Sequence, residues 1–206
     1  MLALDTPHGP AHARLYHADE PRAALVLGHG AGGGIAAPDL VAVAGAARSE
    51  AISVALVEQP YRVAGRRSPA PARQLDAAWT AVIDQLLADD LLGLALVVGG
   101  RSSGARVACR TAAASAAVGV LCLAFPLQPP PRRSAKAPTP SRLPELEAVS
   151  VPTLVVQGAR DRFGMPPARD NRAVVQVPGD HSLRTDPDTI AAAAREWLGR
   201  VAAGVR

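Results

Sequence analysis

Short apolar runs, each closed by Gly or Pro, recur along this chain and leave it few ways to fold. They are "AALVLG", ending just before His29, then "ISVALV", "LGLALVVG", "VGVLCLAF", "PTLVVQG" and "AVVQV" at 173–177. A strand with one wet face alternates apolar and polar residues. Runs that are apolar at nearly every position suit strands covered on both faces, as in parallel sheets. Helical patterns lie between the runs. "ARQLDAAWTAVIDQLLADD" sets Leu75, Trp79, Val82, Ile83 and Leu86 on one stripe. The last pattern opens with Asp186 as N-cap and Pro187 at the first helical position, and it groups Ile190, Ala194, Trp197 and Val201. This alternation predicts an α/β fold with a doubly wound, mostly parallel sheet. With 206 residues, 49% of them hydrophobic, the chain is expected to form a single domain over 1–206. One Pro-rich basic segment breaks the rhythm, "FPLQPPPRRSAKAPTPSRLPEL" at 125–146. It reads as an exposed loop after a strand and at most a rudimentary lid, so little or no cap domain is expected.

Composition narrows the function classes. The formal charge is +4, but the cations are almost all Arg, with Lys136 the sole lysine, and they are spread among acids. Aromatics make up 3% of the chain, which leaves no stacking platform and argues against a nucleic-acid partner. Cys109 and Cys122 lie inside apolar segments without a metal-ligand spacing and read as buried free thiols. His8, His12 and His17 form no ligand pattern and read as surface residues, and Trp79 and Trp197 read as core. The start "MLALDTPHGP" has no signal-peptide character, and no apolar run is long enough to span a bilayer. These features predict a cytoplasmic protein that binds no membrane and needs no metal or organic cofactor.

Two glycine-rich motifs carry the chemistry. In "LGHGAGGG", Gly28, Gly30 and Gly33 satisfy G-x-G-x-x-G, and Glu58 stands where an acid could hold a ribose, as in a dinucleotide-binding oxidoreductase. That motif requires a helix opening within the glycine run, but here the next helix is expected to start near Pro38. The second motif, "GGRSSGAR", contains G-x-S-x-G as Gly100, Arg101, Ser102, Ser103 and Gly104, between a predicted strand and a predicted helix. A sharp turn in that setting lifts a serine oxygen clear of the sheet. Asp161 lies four residues past a later strand and His181 four past the next one. Loops after parallel strands emerge at one sheet edge, so these three residues can converge there as nucleophile, orienting acid and base.

The motifs "LGHGAGGG", "EQPYRVAGRR", "GGRSSGAR", "FPLQPP", "QGARDRFG" and "GDHSL" together resemble the α/β-hydrolase fold superfamily. The resemblance is to its small dienelactone-hydrolase-like group, which includes subunits of an animal chromatin-modifying complex. It implies that the His-Gly stretch after the early strand lends a backbone N–H to an oxyanion hole. Here that donor would be Ala31 or Gly32, acting with the N–H of Ser103. His29, Gly32, Tyr61 and Arg62 are candidates for the substrate mouth. Arg101 is expected to pair with a surface carboxylate. Two positions depart from the group: Arg162 stands where proline is common, and Ser103 where a larger residue often follows the nucleophile. Dienelactone hydrolases proper use a cysteine nucleophile, so their substrate does not transfer to a chain with Ser102. The expected function is a serine hydrolase acting on an ester, thioester or lactone of a small acyl substrate. The rival reading is a non-catalytic binding or scaffold module on the same fold.

Overall fold

The computed structural model describes residues 1–129 and 139–204. Its centre is an eight-stranded sheet in the order β1-β2-β4-β3-β5-β6-β7-β8. The strands are β1 (Leu2–Leu4), β2 (Ala11–Tyr16), β3 (Ala23–Gly28), β4 (Ile52–Glu58), β5 (Leu96–Arg101), β6 (Gly119–Leu123), β7 (Thr153–Gly158) and β8 (Arg172–Val177). From β4 to β8 every neighbouring pair is parallel, and β1 and β2 add an antiparallel ribbon. The helices are α1 (Pro38–Ser49), α2 (Pro60–Val63), α3 (Ala72–Ala88), α4 (Ser103–Thr111), α5 (Leu143–Glu147) and α6 (Pro187–Ala203).

Helices cover both faces, which explains the apolar runs. Along β3, Leu25 and Leu27 join the core shared with Leu40 and Val43 of α1 and Ile190 and Leu198 of α6. The alternate residues Ala24 and Val26 join the other core, with Trp79, Val82 and Ile83 of α3 and Ala105 of α4. A polar residue on either face of a central strand would lose its water with no replacement. Asp186 caps α6 as expected, its side chain accepting from the Thr189 N–H, and Pro187 takes the first turn. The doubly wound, mostly parallel architecture is therefore the one the sequence predicts. Cys109 and Cys122 are buried and free, and the fold brings their sulfurs to 3.5 Å.

Three details differ from expectation. In "LGLALVVG" the strand begins only at Leu96, because 90–93 form a turn that leaves Leu92 exposed. The run "AVVQV" lies in β8, the edge strand, where the residues between Arg172 and Val177 are partly or fully exposed, so it is not covered on both faces. The β1–β2 ribbon escapes the reading because only alternate residues, such as Ala11 and Ala13, are buried and the pattern is short. Residues 130–138 of the expected loop lie outside the described residues. Between β6 and β7 the described residues contain one helix, the short α5, and no cap domain. Among the described residues no helix is long and apolar enough to cross a membrane.

The order of the strands reverses around β3. The chain passes from β3 to β4 on one side, then crosses back over β3 to β5 on the other. The crevice beyond the carboxyl ends of β3 and β5 is thus a topological switch point, where open α/β sheets bind their ligands.

Candidate active site

The strand-to-helix turn after β5 carries Ser102. Its backbone has φ 51° and ψ −103°, a left-handed-side conformation that costs a non-glycine residue about 1–3 kcal/mol. The flanking glycines make the turn possible. A Cβ on Gly100 would lie 2.4 Å from the Gly28 carbonyl oxygen, and one on Gly104 would lie 2.3 Å from the same atom. The turn is thus pressed against the end of β3, and the Ser102 N–H donates to the Leu123 carbonyl at 2.8 Å. α4 begins at Ser103, so the Ser103 N–H is one of the first-turn donors that have no intrahelical acceptor.

Asp161 follows β7 and His181 follows β8. The structure brings Ser102, Asp161 and His181 together. His181 Nε2 is 2.9 Å from Ser102 Oγ, and His181 Nδ1 is 2.8 Å from Asp161 Oδ2. A carboxylate only accepts, so Nδ1 carries the proton and the Nε2 lone pair faces the serine hydroxyl. The Asp161 side chain is 1% exposed and that of His181 21%, so the acid is shielded while the imidazole meets solvent. Phe163 packs edge-on against the His181 ring at a centroid distance of 4.4 Å, and the Arg162 guanidinium lies over the Phe163 ring, 4.9 Å from its centroid. An open cavity of about 380 Å³ adjoins the site and is lined by Arg101, Arg160, Arg162, Asp180, His181 and Ser182.

The glycine-rich loop after β3 faces the same crevice. It opens no helix, since α1 starts at Pro38, which removes the helix a pyrophosphate site would require. His29 and Tyr61, read from the sequence as candidates for the substrate mouth, are buried instead and brace this loop. His29 Nδ1 lies 2.8 Å from the Gly30 oxygen, and its Nε2 accepts the Gln59 N–H at 3.1 Å. Burial pushes the His29 imidazole below its ordinary pKa, and its two hydrogen bonds place the ring proton on Nδ1. The Gly30 oxygen also accepts the Gly33 N–H. In a planar trans peptide the N–H points opposite the C=O, so anchoring the Gly30 oxygen sets the direction of the Ala31 N–H. Tyr61 does the same one peptide on: its hydroxyl donates to the Ala31 oxygen at 3.0 Å, which orients the Gly32 N–H. Burial raises the Tyr61 pKa to about 12, so it stays a donor. Gly32 is exposed, and Arg62 is half-buried with its guanidinium on the Arg66 carbonyl.

Two residues with a part in this geometry were not singled out from the sequence. Gln157 is fully buried in β7, and its amide nitrogen lies 2.8 Å from Asp161 Oδ2, 3.1 Å from the Phe125 oxygen and 2.9 Å from the Gly164 oxygen. Three acceptors around one atom require the donor end of the amide there. The signal was present, since a glutamine inside the apolar run "TLVVQG" has no reason to be buried without partners. Asp39 reads as an ordinary acid in the first turn of α1, but it is completely buried and pairs with Arg101 at 3.0 Å. The expected partner of Arg101, a surface carboxylate, is thus replaced by an interior one.

A family model described as an alpha/beta hydrolase domain matches residues 21–197. No curated protein matches the chain. Among solved structures, XC6422 from Xanthomonas campestris, an α/β serine hydrolase without lid, is 20% identical with a TM-score of 0.72, over 97% of this chain and 93% of that one. Est1E from Butyrivibrio proteoclasticus is 14% identical with a TM-score of 0.78, over 98% of each chain. A dienelactone hydrolase from Anabaena variabilis is 16% identical with a TM-score of 0.74, over 95% of this chain and 94% of that one. At these identities the likeness is one of fold.

Proposed function

Because the chain belongs to the alpha/beta hydrolase family, we propose that it is a serine hydrolase cleaving an ester-type bond of a small molecule through an acyl-enzyme. The observation that carries this reading is the unbroken hydrogen-bond series from Ser102 Oγ through His181 to Asp161, at 2.9 and 2.8 Å. A binding module has no physical need for a base aimed at a strained serine and for a buried acid behind the base.

Ser102 Oγ attacks the acyl carbonyl while His181 Nε2 takes its proton. Asp161 holds the imidazole in the working tautomer and stabilises the imidazolium as it forms. The tetrahedral oxyanion accepts the Ser103 N–H and the N–H of Ala31 or Gly32, whose directions are set by His29 and Tyr61. Collapse of the intermediate breaks the bond to the leaving alcohol or thiol, which His181 protonates and which in a lactone stays tethered to the acyl chain, and leaves Ser102 acylated. Water, deprotonated by His181, attacks the acyl-enzyme and releases the acid. The open cavity beside His181 gives small esters access. Est1E, whose structure has also been solved with ferulic acid bound, shares the fold.

The test is turnover of p-nitrophenyl acetate by the purified protein and by Ser102→Ala. Loss of essentially all turnover in the variant is expected. Unchanged turnover in a folded variant sinks the proposal.

A further inference from the structure

Arg101 occupies the second position of G-x-S-x-G, and the proposed hydrolysis gives it no task. Its side chain makes three contacts with three separate parts of the site. Nε lies 3.0 Å from Asp39 Oδ2 of α1, as an ion pair in which Asp39 is completely buried and the Arg101 side chain only 17% exposed. Nη2 donates to the His181 carbonyl at 2.8 Å. Nη1 passes so close beneath the glycine-rich loop that a Cβ on Gly30 would lie 2.9 Å from it. A surface arginine has no need of a buried counter-ion. Here burial pushes the Asp39 carboxyl up and the guanidinium beside it opposes that shift, so removing Arg101 would leave a buried acid without its counter-ion. Nε meets Asp39 as an ion pair without an aligned hydrogen bond while Nη2 donates to the carbonyl, two positions that a lysine ammonium, a single point, cannot occupy at once.

The loop that carries His181 follows the edge strand β8. Its start is held by main chain, with the Arg160 N–H on the Gly179 oxygen at 2.8 Å and Asp180 packed against Gly158, whereas the His181 oxygen itself is met by Arg101, and Asp180 and Ser182 also bond to each other. We propose that Arg101 is a positioning residue. Anchored by Asp39 at the start of α1, its guanidinium fastens the His181 main chain to the turn that carries Ser102, and so sets the Nε2 to Oγ distance. Its hydrogen bond at the site goes to the His181 main chain and not to Ser102 Oγ or the imidazole, so it acts through His181. The inference rests on the serine-hydrolase reading for its effect on rate, though not for its effect on the loop.

Two measurements on Arg101→Lys and Asp39→Asn test it. The first is the rate of Ser102 labelling by a fluorophosphonate, together with kcat and KM for p-nitrophenyl acetate. Arg101→Lys is expected to lower the labelling rate and kcat by about 10- to 100-fold with KM nearly unchanged, the size of effect that misplacing a catalytic group produces. In a His181→Ala background the same substitution is expected to change the residual labelling rate by less than about two-fold, because the group it positions is gone. An equal loss in both backgrounds overturns the inference, and so does no loss in the parent. The second measurement is hydrogen–deuterium exchange over 179–183, which does not depend on turnover. Exchange there is expected to quicken in both variants, Asp39→Asn serving because it keeps Arg101 in the chain and replaces the carboxylate with an isosteric amide. Unchanged exchange in folded Asp39→Asn and Arg101→Lys overturns the inference. A parent protein that resists labelling while this exchange does quicken instead counts against the hydrolase reading alone.

Discussion

Ser102 stands on a turn held by backbone pressed against backbone, whereas the loops of Asp161 and His181 add side-chain hydrogen bonds to such packing, in which a Cβ on Gly158 would meet the Asp180 oxygen at 2.4 Å. At the turn, Gly100 and Gly104 leave no room for a single carbon against Gly28. At the loops, Asp161 is held by the Phe163 N–H at 2.9 Å and the Gln157 amide at 2.8 Å, and His181 by Asp161 and Arg101. The first kind of restraint is part of the fold and fails with it. The second can be removed one bond at a time while the sheet remains, so the two halves of the site should respond differently to substitution.

The largest expected effect lies on the loop side and leaves the fold standing. Asp161→Asn should lower kcat by about 10⁴-fold, because the amide cannot hold the imidazole with Nε2 free to accept. Denaturant unfolding should show little change in midpoint beside that loss in steady-state rate. On the turn side the effect is on folding. Gly104→Ala must force a carbon to 2.3 Å from a main-chain oxygen, and about 3 kcal/mol or more of stability should be lost in urea titration. Gly32→Ala is its control: a Cβ there meets nothing within 4 Å, and stability should stay within about 0.5 kcal/mol.

Gln157→Leu probes the loop side more finely. It strips a donor from the Asp161 carboxylate, from the buried Phe125 carbonyl and from the half-buried Gly164 carbonyl, so it should cost about 1–3 kcal/mol of stability. A drop in kcat of about ten-fold should accompany it as the carboxylate loosens. Unchanged kcat would show that Phe163 and His181 hold the acid without help.

The smallest effect concerns the glycine-rich loop, and it depends on pH. His29 is buried with its pKa depressed, so as pH falls below the unfolded value near 6.5 the unfolded chain takes up a proton that the folded chain does not. The contribution of His29 to stability is therefore full above about pH 6.5 and declines as pH falls toward the folded pKa. His29→Asn should flatten this part of the curve when urea midpoints are compared from about pH 8 to about pH 5. A slope identical to that of the parent would mean that other groups carry it.

What could be read from the sequence divides along the same line. β3 to β7 announce themselves because burial on both faces leaves few polar positions, such as Ser53, Thr153 and Gln157, to confuse the pattern, and G-x-S-x-G is visible because close backbone approach demands glycine. The edge strand β8 and the β1–β2 ribbon are harder to read, since exposure relaxes the choice of residue. Hydrogen-bonded partners far apart in sequence are harder still. Nothing near Asp39 says that it will be sealed against Arg101, and the roles of His29 and Tyr61 as braces depend on which carbonyls the fold sets beside them. Gln157 is the exception that could have been found, as a lone amide in an apolar strand.

The most direct test of the central claim is mass-spectrometric mapping of the protein after exposure to a fluorophosphonate, with His181→Ala and Asp161→Asn alongside. Stoichiometric labelling confined to Ser102 that collapses in both variants is expected. Labelling elsewhere, or labelling of Ser102 that both folded variants retain at the parent rate, would contradict it.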